Sequence, residues 1–326
     1  MPVRAALPTE LRSVVSFTAQ ATASSDGIIG SALPTPLVRG VLVGWLKLVP
    51  GVMGMGGRLR AYVEHQRGRT RAAALVYRGR RPEWVVLLLV AERGTEGADA
   101  AFRLLSGVCA LAAQHGMHRV FGAVPDETRA RETLFQAGFY SYTRETWFAT
   151  KGPVREPSRQ PEGRLARGSD AHDLFRFYVA TTPHAVQRAE QLTVEDFDVG
   201  RRAGAFDPPH IGGNPLAMQR QILMLLADEQ RPRAFAVSYR GVDRHPHVCK
   251  VRTADADVDL AAELLRGAAF ELSADRPITV PVRSYEEHVS RALLMEGFAE
   301  VATAMLFVKE LAVRVEEPAL ATVPAR

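Results

Sequence analysis

Apolar positions along the chain follow two spacings, one typical of strands and one typical of helices. Helical spacing is clearest over residues 100–115, where apolar side chains recur every three or four positions and Gly116 follows as a stop. The same spacing returns over residues 260–272, about 160 positions later. Three strand-like runs precede each of these helices. The sequence therefore predicts one order of strands and helices that occurs twice.

The pattern also predicts where each element lies. In the first half we expect strands over 59–65, 73–77 and 84–90, the helix 100–115, and then a strand, a helix and a strand over 120–124, 127–139 and 142–150. The corresponding ranges of the second half are 221–226, 234–239, 248–252, 260–272, 278–282, 286–298 and 301–310. Each half opens with a short strand and an amphipathic helix, over 3–15 and 165–177. This alternation predicts an α/β (α+β) fold with a mixed sheet.

The division of the chain follows from its length and from one break in composition. A chain of 326 residues exceeds the usual size of one compact domain. Residues 151–163 read KGPVREPSRQPEG, with three prolines and no apolar period, which is typical of a linker. We therefore predict domains over 1–150 and 164–326, with a glycine- and proline-rich loop over 199–215 inside the second.

Composition and charge restrict the class of protein. With 47% hydrophobic and 24% charged residues, the chain matches an ordinary soluble globular protein. The net charge of +5 suggests an anionic partner only weakly, because all but four of the 41 basic residues are arginine. Cys109 and Cys249 lie in apolar or strand-like runs, which indicates reduced thiols and favours a cytoplasmic protein. The start of the chain lacks the pattern of a secretory signal, and we interpret residues 36–49 as a buried amphipathic helix that does not span a membrane.

The last helix of each half ends in Gly-Phe, at Gly138 and at Gly297, and a final strand follows. The order of strand, two helices, three strands, helix, strand, helix ending in Gly-Phe and strand resembles the GNAT superfamily of acyl-CoA-dependent N-acyltransferases. The resemblance covers almost the whole chain as a tandem pair. It implies two domains, each with a mixed, mostly antiparallel sheet flanked by helices. It also implies an N-acyltransferase, in the first instance an N-acetyltransferase, that uses acetyl-CoA or another acyl-CoA as co-substrate and a small-molecule or peptide amine as acceptor.

Members of this family bind the acyl-CoA pyrophosphate with a loop that reads Gln or Arg, two residues, Gly, one residue, and Gly or Ala. Here the loop is ERGTEGAD over 92–99, which places Gly97 at the first glycine, Gly94 at the Gln or Arg position, and Asp99 at the last small position. A shifted register would use Arg93 as the cation. The cofactor-binding residues that the resemblance implies are the backbone of Leu89, Val90 and Ala91 and the loop residues Arg93, Gly94, Thr95, Glu96, Gly97 and Ala98. The alternative is that Asp99 caps the helix and the glycines only make the turn.

The equivalent loop of the second half is RTADADVD, over 252–259, with three aspartates and no glycine. Such a loop is a poor phosphate cradle, and helix capping explains its aspartates. The aspartates resemble the start of a calcium-binding EF-hand loop, but Leu260 and Arg266 stand where a glycine and a glutamate are required. We therefore interpret the second half as a degenerate copy that supplies a partner surface or a wall of the substrate cleft.

Catalysis in this family often uses a tyrosine four residues before the Gly of Gly-Phe, and that position is Leu134 here and Leu293 in the second half. Tyr140 and Tyr142 are the candidate replacements, and Glu64 is the candidate base. Packing for the tyrosines, and an exposed ion pair for Glu64, are the structural alternatives. The missing tyrosines support a second hypothesis, a catalytically inactive CoA-sensing or protein-interaction module.

Two further patterns were weighed as binding sites. Eight arginines between positions 58 and 81 could attract nucleic acid or steer CoA, but the segment carries few stacking aromatics and matches no nucleic-acid module, so nucleic acid is not expected as a partner. His245, His247 and Cys249 alternate along one strand, yet same-face residues lie about 6.6 Å apart and seldom converge on one zinc ion. We therefore expect no metal, and the sequence leaves the oligomeric state open, a homodimer included.

Overall fold

The structure is a computed structural model that describes ten stretches of the chain. These are residues 3–6, 59–66, 69–78, 81–125, 130–150, 163–198, 219–226, 232–241, 246–272 and 276–312. Within them, twelve strands form one mixed sheet, and six α-helices lie on its two faces. The architecture is therefore α+β.

The first half contributes six strands and two helices. These are β1 (Val3–Ala5), β2 (Leu59–Gln66), β3 (Arg69–Arg78), β4 (Glu83–Ala91), α1 (Thr95–Gln114), β5 (Arg119–Pro125), α2 (Ala130–Gln136) and β6 (Tyr140–Thr150). Strands β1 to β4 pair antiparallel, and β5 pairs parallel to β4 because α1 crosses over between them. The predicted elements from 59–65 to 142–150 are confirmed. Helix α1 begins five residues before the predicted start, because its first turn is polar and lies outside the apolar repeat.

From its second strand onward, the second half has the same order of elements. Its elements are β7 (Gly163–Leu165), α3 (Ala171–Thr181), α4 (His184–Glu190), β8 (Gln219–Leu226), β9 (Pro232–Arg240), β10 (His247–Thr253), α5 (Val258–Leu272), β11 (Ile278–Arg283), α6 (Glu287–Met295) and β12 (Phe298–Glu310). Strands β7 to β10 pair antiparallel, and β10 pairs parallel to β11. The prediction that one order of elements occurs twice is confirmed from β2 to β6 and from β8 to β12, and the helices predicted between β1 and β2 lie outside the described residues.

The two halves exchange their last strands. The order across the sheet is β1-β2-β3-β4-β5-β12-β6-β11-β10-β9-β8-β7. Strand β12 of the second half pairs with β5 of the first, with Ala304 opposite Pro125, and β6 of the first half pairs with β11 of the second, with Glu145 opposite Arg283. A central antiparallel pair, β6 and β12, joins them. Each half therefore completes the sheet of the other.

Three large apolar cores hold the helices on the sheet. On one face, α1 and α2 pack on the first half, around residues such as Leu104 and Phe307, and α5 and α6 pack on the second, around residues such as Leu264. The opposite face carries a core that takes residues from both halves, among them Val90 of β4 and Leu174 of α3. Because side chains alternate along a strand, neighbouring residues of β4 enter different cores, except at Leu87 and Leu88, where the pairing with β3 is irregular.

The ends of helices α2 and α6 follow the predicted geometry. Gly138 and Gly297 adopt φ values of 80° and 82°, in the left-handed region where a Cβ is disfavoured. After Gly138, the Phe139 N–H donates to the Leu134 carbonyl at 3.0 Å, and both side chains are buried together. This turn returns the chain to the sheet as β6.

Several predicted segments lie outside the described residues. They are the helix within 3–15, the helix over 36–49, the linker over 151–163 apart from Gly163, and the loop over 199–215. Across the stretches that the structure describes, every helix is too short or too polar to cross a membrane.

Candidate functional site

Strands β4 and β5 separate at one end of the first half. Their parallel pairing runs from Glu83 and Arg119 to Val86 and Gly122 and stops there. Strand β4 continues through residues 87–91, paired only with β3, and β5 continues through 123–125. We call this separation the first parting. The side chains of Leu89, Val90 and Ala91 are at most 2% exposed, so only the backbone edge of these residues can meet a ligand there.

Helix α1 begins at the open end of the first parting. Its N-cap is Gly94, with φ 89° and ψ −174°, and no side chain caps the first turn. Asp99 lies inside the helix and is exposed, so the interpretation that it caps the helix is wrong. The amide groups at the start of α1 are thus open to an anion, because a helix N-terminus carries partial positive charge.

Gly97 is required by this geometry. A Cβ at this position would stand 1.7 Å from the Glu92 carbonyl oxygen, which is impossible without moving the backbone. The loop therefore folds back tightly against the end of β4. The glycine that the family pattern singles out has a steric reason to be there.

The acidic residues of the loop are compensated by arginines of β3. Arg71 forms ion pairs with Glu92 and, at 3.3 Å, with Glu96. Arg69 lies 3.7 Å from Glu92. The hydrogen bond from Arg71 to Glu92 raises the pKa of this arginine, which therefore keeps its charge. Negative charge in the loop is consequently less repulsive to a phosphate than the sequence suggests.

The second half has an equivalent separation, which we call the second parting. Strands β10 and β11 pair only at His247 with Ile278 and at Val248 with Thr279, and then separate over residues 249–253 and 280–283. Here a carboxylate of the chain itself occupies the start of the following helix. The Asp257 Oδ1 accepts the Leu260 N–H at 3.0 Å. The second helix start is therefore capped where the first is open.

This difference predicts that removing the Asp257 carboxylate changes the stability of the protein and leaves its affinity for CoA unchanged. Asp257→Ala removes the cap of α5, and we expect it to lower the free energy of unfolding by about 1 kcal/mol without changing the affinity for CoA. Urea denaturation and calorimetric titration of the same preparation measure the two quantities. An affinity for CoA that falls together with the stability would contradict an assignment of the ligand to the first half.

The three candidate catalytic residues are not brought together. Glu64 is 1% exposed, lies on the face of β2 under α1, and its Oε1 accepts from Arg103 Nε at 2.9 Å. Four strands separate β2 from β6, which carries Tyr140 and Tyr142, and this corresponds to about 24 Å at about 4.8 Å per strand. Glu64 and the tyrosines cannot act on the same reacting atoms.

The two tyrosines have different surroundings. Tyr140 is 39% exposed and donates to Glu310 Oε1 at 3.2 Å. Tyr142 is partly buried, its ring meets that of Phe121 edge-on with centroids 6.3 Å apart, and it packs against Ala123 at the first parting. Burial raises the pKa of the Tyr142 phenol well above its ordinary value. Its ring meets that of Phe121 across the intervening β12, whereas its hydroxyl is hydrogen-bonded to Arg283 of β11.

The histidine and cysteine of β10 are engaged separately. His247 Nδ1 accepts the Gly241 N–H at 3.1 Å, and Cys249 is buried, with its pKa raised by burial to about 12. His245 lies outside the described residues. Within the described ranges, no group of three or more His, Cys, Asp or Glu side chains could hold a metal ion.

The arginine-rich segment is only partly engaged by acids of the chain. Arg81 pairs with Glu83 at 3.1 Å and with Asp196 at 3.5 Å, which ties the first half to the second. Arg69 and Arg78 are exposed at the ends of β3. Binding of nucleic acid by this segment stays an untested alternative.

The sequence analysis missed a cluster of charged side chains, buried at the second parting. Each member is at most 9% exposed, and together they are Lys250, Arg252, Arg283, Glu145, Glu190 and Glu286. Three are cations and three are carboxylates, so the charges balance when all are ionised. The signal was the alternation of Lys250 and Arg252 with apolar residues along β10, a pattern that a solvated strand face also shows.

Arg283 holds one side of this cluster. Its Nε lies 3.0 Å from Glu145 Oε2, and its Nη2 lies 3.5 Å from Glu190 Oε1. The other oxygen of Glu190 accepts from Tyr178 OH at 2.8 Å. Burial raises the pKa of Glu145, opposed by the charge of Arg283. The positive charge of Arg283 therefore favours the ionised form of the Glu145 carboxylate on β6.

Arg252 holds the other side. Its guanidinium donates to Thr182 Oγ1 at 3.2 Å and to Tyr285 OH at 3.0 Å, and lies 3.2 Å from Glu286 Oε1. Its Cζ stands 5.8 Å from the ring centroid of Tyr178 and 5.6 Å from that of Tyr285. The guanidinium is thus held between two aromatic faces.

Comparison with known proteins shows which solved structures share this architecture. No protein-family model matches the chain, and no curated protein matches it. Among solved structures, a GCN5-related N-acetyltransferase from Sphaerobacter thermophilus is similar with a TM-score of 0.54 and 13% identity, over 97% of this chain and 97% of that chain. A tandem GNAT protein from the clavulanic acid biosynthesis pathway, solved without AcCoA, is similar with a TM-score of 0.52 and 11% identity, over 96% of this chain and 99% of that chain. The chain therefore has the fold of the GCN5-related N-acetyltransferases, and the likeness extends over both halves.

Proposed function

We propose that the first half binds an acyl-CoA, in the first instance acetyl-CoA, and transfers its acyl group to an amine of a small molecule or peptide. The observation that carries the proposal is the contrast between the two helix starts. At the first parting the N-terminus of α1 has no side-chain cap, whereas Asp257 caps α5 at the second. The structural likeness to acetyltransferases supports the reaction class through the fold alone.

The first parting offers two complementary surfaces to such a co-substrate. The backbone of Leu89 to Ala91 is a strand edge facing away from β3, and it can pair with the amides of an extended pantetheine arm. The loop from Arg93 to Ala98 presents amide groups to the pyrophosphate. Both surfaces are main chain, so the proposal does not depend on the Gln or Arg that this loop lacks.

Acyl transfer requires an amine to attack the thioester carbonyl and a thiolate to leave. Among the candidates, Tyr142 packs against the apolar cluster that contains Ala123 and stays protonated at neutral pH, but its hydroxyl is hydrogen-bonded to Arg283 of the second half. It would have to leave this arginine to donate a hydrogen bond to the departing sulfur. Glu64 is held by Arg103 under α1, which removes it from the first parting. The general base therefore has no candidate among the predicted residues.

One observation favours the alternative, a catalytically inactive CoA-binding module. Leu134 of α2, at the position of the usual family acid, is 4% exposed and packs in the apolar core, so this position supplies no proton donor. In that case the first half would bind acyl-CoA without turnover.

Calorimetric titration of acetyl-CoA and of free CoA tests the proposal. We expect micromolar dissociation constants for the intact chain and a loss of at least 100-fold in Gly97→Glu, because the new side chain both displaces Glu92 and adds negative charge at the loop. Gly116→Ala is the matched control, since Gly116 ends the same helix with φ 70° and open space around it. Its affinity should equal that of the unaltered chain.

Release of free thiol in the presence of amines then separates the two functions. Binding with turnover supports the transferase, and binding without turnover across small amines and peptides supports the inactive module. A folded chain that binds neither acetyl-CoA nor CoA would exclude both.

A further inference from the structure

The second parting is built like the first but is lined differently. The two can be aligned because Glu92 donates its N–H to the Arg71 carbonyl and Ala254 donates to the Arg233 carbonyl, both at 2.9 Å, at the same point after the strand. This equivalence places Lys250 where the first half has Leu88. It likewise places Arg252 where the first half has Val90.

Placing charged side chains where the first half has apolar ones raises the free energy of the folded state. Leu88 and Val90 lie in an apolar core at 5% and 0% exposure, whereas Lys250 and Arg252 lie at 7% and 9%. A buried ionic cluster seldom stabilises a fold better than the apolar residues that could replace it. Charges kept buried in a cleft are therefore candidates for binding.

Lys250 is the member of the cluster that lacks a partner. No hydrogen bond or ion pair joins its Nζ to any residue in the part of the chain that the structure describes. An ammonium has three N–H donors, and the described residues accept none of them. The two arginines beside it, in contrast, are bound to carboxylates and hydroxyls.

The groups that face Lys250 come from four elements. They are Arg252 of β10, Arg283 of β11, Glu145 of β6 and Glu190 of α4. Both carboxylates already pair with Arg283, at 3.0 and 3.5 Å. Burial, reinforced by the charge of Arg283, lowers the pKa of Lys250 to about 8. The group that Lys250 lacks is a hydrogen-bond acceptor, which an oxygen atom of a ligand can supply.

We propose that the second parting binds a small monocarboxylate, whose oxygens accept hydrogen bonds from Lys250 Nζ beside Arg252 and Arg283. A monocarboxylate adds one negative charge beside the three carboxylates of the cluster, whereas a phosphate dianion would add two. The second half is then a ligand-binding half with a specificity unlike that of the first. This inference is independent of acyl-CoA binding at the first parting.

Titration calorimetry with acetate and propionate tests the inference, with inorganic phosphate as the competing anion. We expect millimolar binding of the carboxylates and a loss of at least ten-fold in Lys250→Met and in Lys250→Leu, the residue that the first half carries. Arg291→Met is the matched control, because it removes one exposed cation of α6 and should leave binding unchanged.

Proton exchange gives a readout that a merely structural lysine would not change. With a pKa near 8, Lys250 is about half protonated at pH 8 in the free protein, and a bound carboxylate favours the ammonium. We expect uptake of about half a proton per carboxylate at pH 8, little at pH 6, and none in Lys250→Met, measured by comparing heats in HEPES and Tris.

Thermal melts show whether each variant is folded. Removing an unpaired buried charge should leave the melting temperature of Lys250→Met equal to or above that of the unaltered chain. The proposal is overturned if neither carboxylate binds at 100 mM, if both variants bind as well as the unaltered chain, or if phosphate binds through Lys250 and the carboxylates do not.

Discussion

Residues 1–150 produced alone are expected not to fold as a monomer, and residues 151–326 produced alone are expected to fail in the same way. The cause is the strand exchange. Without β12, strands β5 and β6 lose the neighbour that lies between them, and the first core loses Phe307, which is fully buried. Unpaired edges in the middle of a sheet and an open core are incompatible with a stable monomer.

The two pieces produced together are expected to assemble into a 1:1 complex that melts cooperatively, because each supplies the strand that the other lacks. Far-ultraviolet circular dichroism, analytical ultracentrifugation and copurification of one tagged piece measure these outcomes. A folded, monomeric 1–150 piece would show that the exchange is not required, and the domains predicted over 1–150 and 164–326 would then be independent units.

Arg283→Met is expected to lower the free energy of unfolding by about 3–5 kcal/mol at pH 7, the range for breaking a buried ion pair from one side. Arg283 is 2% exposed, and its loss leaves Glu145 and Glu190, each 1% exposed, without their cation. Methionine fills a similar volume, so the effect reports charge rather than a cavity. Urea denaturation monitored by tryptophan fluorescence measures it.

The pH dependence of this loss has a definite sign. Burial already raises the pKa of Glu145, and without Arg283 the pKa rises further. A carboxylate whose pKa is higher in the folded state destabilises that state above this pKa, and the destabilisation disappears as the pH falls through it. The deficit of Arg283→Met should therefore shrink on acidification, and Glu145→Gln in the same chain should recover part of it at pH 7. A deficit below 1 kcal/mol would show that the cluster is solvated.

Much of the fold could be predicted from local pattern. The helix of the first half was recognised from its apolar period, and the Gly-Phe ends at Gly138 and Gly297 have the left-handed geometry expected of them. These features depend on a few residues close in the sequence, whose preferences act before any tertiary contact forms. The repeat of elements about 160 positions apart followed from the same local signals.

The candidate site could be predicted only where main chain defines it. The loop over 92–99 was located from its glycines, and Gly97 has the steric role that the pattern implies. Side-chain roles were harder to predict, because they depend on what lies opposite. Glu64 points under α1 toward Arg103, and Tyr142 packs beside Ala123 from a distant strand.

The amino-acid sequence by itself determined the elements, their order, their repetition and the tight turn at Gly97, because each arises from spacing and backbone preference within about twenty residues. Only the tertiary structure decided that β6 and β12 change places, since either half presents the same strand pattern whichever neighbour it pairs with. Tertiary packing also decided that Lys250 and Arg252 are buried. Their alternation along β10 fits a solvated face equally well, and it is the covering by α3 and α4 that turns this face into an enclosed charged cluster.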